Sequence, residues 1–70
     1  MSLDNQSLAE EAVVNYVKSS FKAREVQILQ SQEGVRNWFV FLSYFVGYDF
    51  KNVRIEISKE TENIVEIKDI

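Results

Sequence analysis

Carboxylates are the only side chains here that offer acid–base chemistry near neutral pH. The 70 residues include no histidine and no cysteine. That removes the commonest general base, the commonest metal ligand and the thiolate nucleophile. No Ser/His/Asp or Cys/His set can be assembled. Two carboxylate pairs remain, Glu10-Glu11 and Glu60 with Glu62. Neighbouring helix residues point in different directions, and turn carboxylates are usually solvated, so neither pair reads as an acid and its base. Glu60, Glu62 and Asp69 lack the spacing of a calcium loop. Gly34 and Gly47 are too far apart for a phosphate-binding loop. The expectation is a protein that is not an enzyme, with no catalytic residues, no cofactor and no metal.

What remains is a surface, and the elements that would present it. The run Trp38-Phe39-Val40-Phe41-Leu42-Ser43-Tyr44-Phe45-Val46 is apolar at both parities. A strand of that kind is covered on both faces, which makes it the central strand of a small sheet. Ahead of it, Leu8, Ala12, Val13, Tyr16, Val17 and Phe21 recur at helical steps, and a helix is expected over 5–23. Asp4 reads as its N-cap, with Leu3 and Leu8 at the hydrophobic-staple spacing. Glu10 and Glu11 near the start, and Lys18, Lys22 and Arg24 near the end, suit the helix dipole. Strands are expected over 25–32, 37–46, 52–58 and 64–70. Val53, Ile55 and Ile57 alternate with Arg54, Glu56 and Ser58, the pattern of a strand with one buried face. Gly34 is placed in the first turn for φ > 0, and residues 47–51 form the next connection. Asn63 takes the left-handed position in the last turn. The fold class is α+β: one N-terminal helix packed on a four-stranded antiparallel meander, α-β-β-β-β, in a single domain over 1–70.

Facing residues follow from register. Pairing Gln32 with Asn37 sets Ile28 against Phe41 and Leu29 against Val40. Phe39, Phe41 and Phe45 then lie under the helix, with Ser43 giving it room. Trp38, Val40, Leu42 and Tyr44 face the other way, with Leu29 and Ile64 beside them. In the last hairpin, Ile55 pairs with Ile67 and Ile57 with Val65. An apolar sheet face with no helix over it is an interface in most small proteins. Trp and Tyr suit one. The expected partner-binding residues are therefore Trp38, Val40, Leu42 and Tyr44, and the expected partner is a second copy or another protein. A homodimer would also supply burial that a 70-residue chain lacks. The alternative is a small apolar ligand held between helix and sheet, with Tyr16, Phe21 and the phenylalanines of the central strand as walls.

Composition narrows the partners further. Eleven acidic residues against eight basic ones leave a net charge of −3. That speaks against nucleic acid, where basic side chains neutralise phosphate. The aromatic strand has no basic residue of the kind RNA-stacking sheets carry. No apolar stretch reaches the ~18 residues of a membrane span. The first residues carry no leader pattern, so a cytoplasmic location is expected; a domain of an exported parent is the other arrangement.

The order of these elements resembles the PepSY-like family of small domains. Glu11-Ala12-Val13-Val14 is similar to its helix, and the stretch from Val53 to Val65 is similar to its final hairpin. Ser58 stands where that family usually has Asp, and Glu62 where it usually has Gly. The resemblance implies a non-catalytic regulatory or inhibitory module, often outside the cytoplasm or attached to peptidases. It carries no set of catalytic residues.

Overall fold

A computed structural model describes residues 3–70; Met1 and Ser2, the start of the expected domain, lie outside the described residues. The element order is α1 (Gln6–Ser20), β1 (Arg24–Glu33), β2 (Asn37–Val46), β3 (Asp49–Ser58) and β4 (Ile64–Asp69). The strands form one antiparallel sheet in the order β1-β2-β3-β4. The α+β layout and the meander are those expected from the sequence.

Helix α1 starts one residue later than expected. Asn5, not Asp4, is the N-cap, and its side chain accepts the Leu8 N–H at 2.9 Å. Ala9, Val13 and Val17 are the fully buried stripe, spaced four apart on one face. Leu8 is largely exposed, and Leu3 lies in the core instead of stapling the helix start. The helix closes at Phe21, whose N–H returns to the Val17 carbonyl at 3.0 Å. Lys22 then takes a left-handed conformation, φ 58°. That reversal delivers Ala23 and β1 to the sheet without a linker.

The face assignment expected for β2 is reversed. Trp38, Val40, Leu42 and Tyr44 are buried with Ala9, Val13 and Val17 in the core, together with Val53, Ile55 and Ile57. Phe39, Phe41 and Phe45 point to the opposite side, which no helix covers. The cause is a bulge in β1. Near the turn, Glu33 pairs with Trp38 and Ser31 with Val40. A register shift between Ile28 and Gln30 then leaves Leu29 unpaired, and Ile28 comes opposite Leu42. One extra residue exchanges the faces of everything before it. Val26 and Ile28 thereby join the core on the side of Trp38, Val40 and Leu42. A second shift follows between Arg24 and Gln27, where Glu25 has φ 53°.

The turns set the remaining registers. Gly47 and Tyr48 alone connect β2 to β3, so β3 begins three residues earlier than expected, and Gly47 has φ 63°. This places Trp38 opposite Ile57, Val40 opposite Ile55 and Leu42 opposite Val53. In the last hairpin Ile55 meets Ile67 as expected, but a bulge puts Ile64, not Val65, opposite Ile57. Glu62, with φ 61°, occupies the left-handed position expected for Asn63. Gly34 has no positive φ; a Cβ there would meet the Asn37 carbonyl oxygen and Phe39 Cε2, each at 2.9 Å. Glycine is needed at that point for space.

Candidate functional site

The expected site dissolves into the core. Trp38 is 5% exposed, Tyr44 3%, and Val40 and Leu42 are sealed. They hold the helix to the sheet and offer no surface to a partner. The surface is the other face of β2, and the pairing of strands defines it row by row. One row carries Arg24, Phe45 and Phe50; the next Gln27, Ser43 and Asn52. Then come Gln30, Phe41, Arg54 and Lys68, and lastly Gln32, Phe39, Glu56 and Glu66. Three β2 phenylalanines form a half-buried stripe, and Phe50 is 56% exposed beside Phe45, ring centroids 5.1 Å apart.

Charges frame this stripe. The Arg24 guanidinium lies 5.2 Å from the centre of the Phe45 ring, and that of Arg54 lies 5.7 Å from Phe39. Arg24 also donates to the Gly47 carbonyl at 2.6 Å, which joins the start of β1 to the β2–β3 turn. Arg54 pairs with Glu66 at 2.5 Å, and Asn37 donates to the Glu56 carboxylate. The Arg54 Nε is buried without a hydrogen-bond partner. Basic residues missing from the β2 sequence thus reach its ring faces from β1 and β3. The signal for them was cross-strand pairing, which a linear reading does not contain.

A second feature lies on the helix side, beyond the end of α1. Phe21, Tyr44, Val46, Val53 and Ile67 line an open cleft of about 340 Å³, with Lys51 and Asp69 at its edge. The Phe21 and Tyr44 rings are stacked, 6.3 Å apart. Of the walls expected for a pocket between helix and sheet, Phe21 lines this cleft and Tyr16 lines a separate one with Ala12, Ile57 and Ile64, whereas the phenylalanines of β2 line neither. Burial of Tyr44, and then the charge of Asp69 and the neighbouring Tyr16, push its hydroxyl above the ordinary value of 10.0.

The carboxylates considered for chemistry are dispersed. Glu10 is occupied in docking the helix: it accepts from Gln6 at 2.9 Å and from the Ser31 hydroxyl of β1 at 2.5 Å. Glu11, Glu60 and Glu62 are exposed. Among the described residues no three Asp or Glu side chains gather as a metal site. None of their helices is long and apolar enough to cross a membrane. Comparison of the chain with protein families, with curated proteins and with solved structures gave no match.

Proposed function

We propose that the chain is a non-catalytic protein-interaction or regulatory module that self-associates through the sheet face opposite the helix. Phe39, Phe41, Phe45 and Phe50 replace the expected Trp38, Val40, Leu42 and Tyr44 as its contact residues. The observation that carries the reading is the aromatic stripe on a sheet face with no second layer. An antiparallel sheet commonly leaves one face solvated by polar side chains, and here that polar face is crossed by a line of phenylalanine rings. Two such faces can stack about 10 Å apart as the layers of a sandwich. A second copy suits the rim, where Arg24 and Lys68 stand with Glu56 and Glu66, because neither sign dominates. The resemblance to PepSY-like domains would make the pair a regulatory or inhibitory unit.

Light scattering behind a sizing column, over about a hundredfold range of concentration, tests this by mass action. The expected result is growth toward twice the monomer mass, abolished by Phe41→Gln together with Phe45→Gln. A monomer throughout would refute self-association and leave another protein as the partner.

A further inference from the structure

The cleft at the end of α1 is distinct from the aromatic face, and its walls differ in kind from its rim. Phe21, Val46, Val53 and Ile67 supply apolar walls. Tyr44 is 97% covered, yet its hydroxyl makes no hydrogen bond among the described residues. Arg54 Nε is the one buried polar side-chain atom without a partner among the described residues, so the Tyr44 hydroxyl is the tip of its side chain that keeps contact with solvent, open to a group that enters the cleft. At the edge stand one cation and one anion, Lys51 and Asp69. Neither has an ion-pair partner among the described residues. Strand pairing explains the spacing. Lys51 sits opposite Tyr44 on β2, and Asp69 sits opposite Val53, two residues along β3 from Lys51. The two charges are therefore diagonal neighbours about 7–8 Å apart at their backbones, flanking Val53. They are close enough to address one small molecule.

We propose that this cleft binds a small zwitterion with an apolar body, of the chemical class of free aliphatic and aromatic α-amino acids. The apolar body lies against Phe21, Val46, Val53 and Ile67. The ligand's ammonium is taken by the Asp69 carboxylate and the Tyr44 hydroxyl oxygen, and its carboxylate by the Lys51 ammonium. A volume of about 340 Å³ is at the small end of ligand pockets and suits a single amino acid. A purely apolar ligand would leave both charges and the hydroxyl unused. A simple anion or cation would meet one complementary and one like charge. The cleft is open, so the affinity expected is modest, with Kd on the order of 1 mM.

The test is an amide-resolved NMR titration of the full chain with L-leucine and L-phenylalanine, at protein concentrations low enough to hold it monomeric. Leucinamide, N-acetyl-leucine and glycine remove the carboxylate, the ammonium and the apolar body in turn. The expected result is saturable shifts at Tyr44, Lys51, Val53, Ile67 and Asp69, weakened about tenfold or more by each truncated ligand. Tyr44→Phe and Lys51→Met should keep the spectrum of the folded chain and weaken leucine. The proposal is overturned by shifts that fail to saturate up to about 20 mM ligand. It is equally overturned if leucinamide or N-acetyl-leucine binds as tightly as leucine, or if the shifts fall on the Phe39 to Phe45 face. A folded Lys51→Met variant with unchanged leucine affinity also overturns it.

Discussion

The indole Nε1 of Trp38 donates to the carbonyl oxygen of Leu3 at 3.1 Å, across 35 residues of chain. The Leu3 N–H in turn donates to the Lys59 carbonyl at 2.8 Å, and Lys59 Nζ lies 5.7 Å from the Trp38 ring centre. Lys59 also pairs with Glu33 at 2.6 Å. One tryptophan thus ties the segment before α1 to β2, and the β3–β4 turn closes over it. This is why Trp38, which by type belongs at an interface, is an internal strut.

Trp38→Phe keeps an aromatic ring and leaves the Leu3 carbonyl without its donor. A loss of about 1–3 kcal/mol is expected, read as a lower denaturant midpoint. Iodide should barely quench Trp38 in the native protein, since the side chain is buried. Strong quenching would return Trp38 to the surface and reverse the face assignment.

The two faces of β2 should respond in opposite ways. Leu42 is fully buried between Ile28 and Val53, so Leu42→Ala should cost about 2–5 kcal/mol through lost burial and a cavity. Phe41, one residue away, faces outward. Phe41→Gln should shift the midpoint of the dilute chain far less while weakening any association. Equal losses at both positions, measured by urea unfolding at low concentration, would contradict the sheet as described.

Much of this was legible in the sequence. The helix stripe at Val13 and Val17 and the alternation of Val53, Ile55 and Ile57 carry periodicity, and both elements form where periodicity places them. The open face was not legible, for two reasons. The bulge at Leu29 has no residue signature; it exists because β1 must bring Val26 and Ile28 inward while Ser31 reaches Glu10. The second reason was avoidable. A two-residue turn at Gly47-Tyr48 commits Leu42 to Val53 and Val40 to Ile55, and β3 has only one apolar face in that stretch. Assigning residues 47–51 to the connection discarded that constraint. With it, Trp38, Val40, Leu42 and Tyr44 would have been read as core. The charged groups over Phe39 and Phe45 come from other strands, so no reading of β2 alone contains them.

The two glycines should fail differently. At Gly47 nothing lies within 4 Å of an added Cβ, but φ is 63°. Gly47→Ala therefore costs only backbone strain, about 1–2 kcal/mol, and Gly47→Asn should recover much of it. At Gly34 the obstacle is the Asn37 carbonyl and the Phe39 ring, both at 2.9 Å. Asparagine offers no rescue there, because its Cβ meets the same atoms. Gly34→Ala should disturb the amide signals of Asn37 and Phe39 and should be partly rescued by Phe39→Leu, which shortens the flat ring. If asparagine rescued both positions alike, the distinction between strain and space would be lost.

Tyr44 makes stability depend on alkaline pH. Its hydroxyl titrates above the ordinary 10.0 in the folded chain, because burial first, and then Asp69 and Tyr16, disfavour the phenolate. Lys51, its cross-strand partner, is the cation that lines the same cleft. Between the unfolded and the folded values, the native chain holds a proton that the unfolded chain has released. The free energy of unfolding therefore falls as pH rises through that window, and the contribution is fully present below it. Tyr44→Phe removes the titrating group. Near pH 7 the variant should lie close to the parent, since the hydroxyl it deletes makes no hydrogen bond among the described residues and is not sealed from solvent. Above pH 10 it should be the more stable of the two by a growing margin. Urea midpoints of both proteins from pH 7 to about pH 11 measure this directly. Parallel profiles would mean that the Tyr44 hydroxyl ionises as freely in the fold as in the unfolded chain.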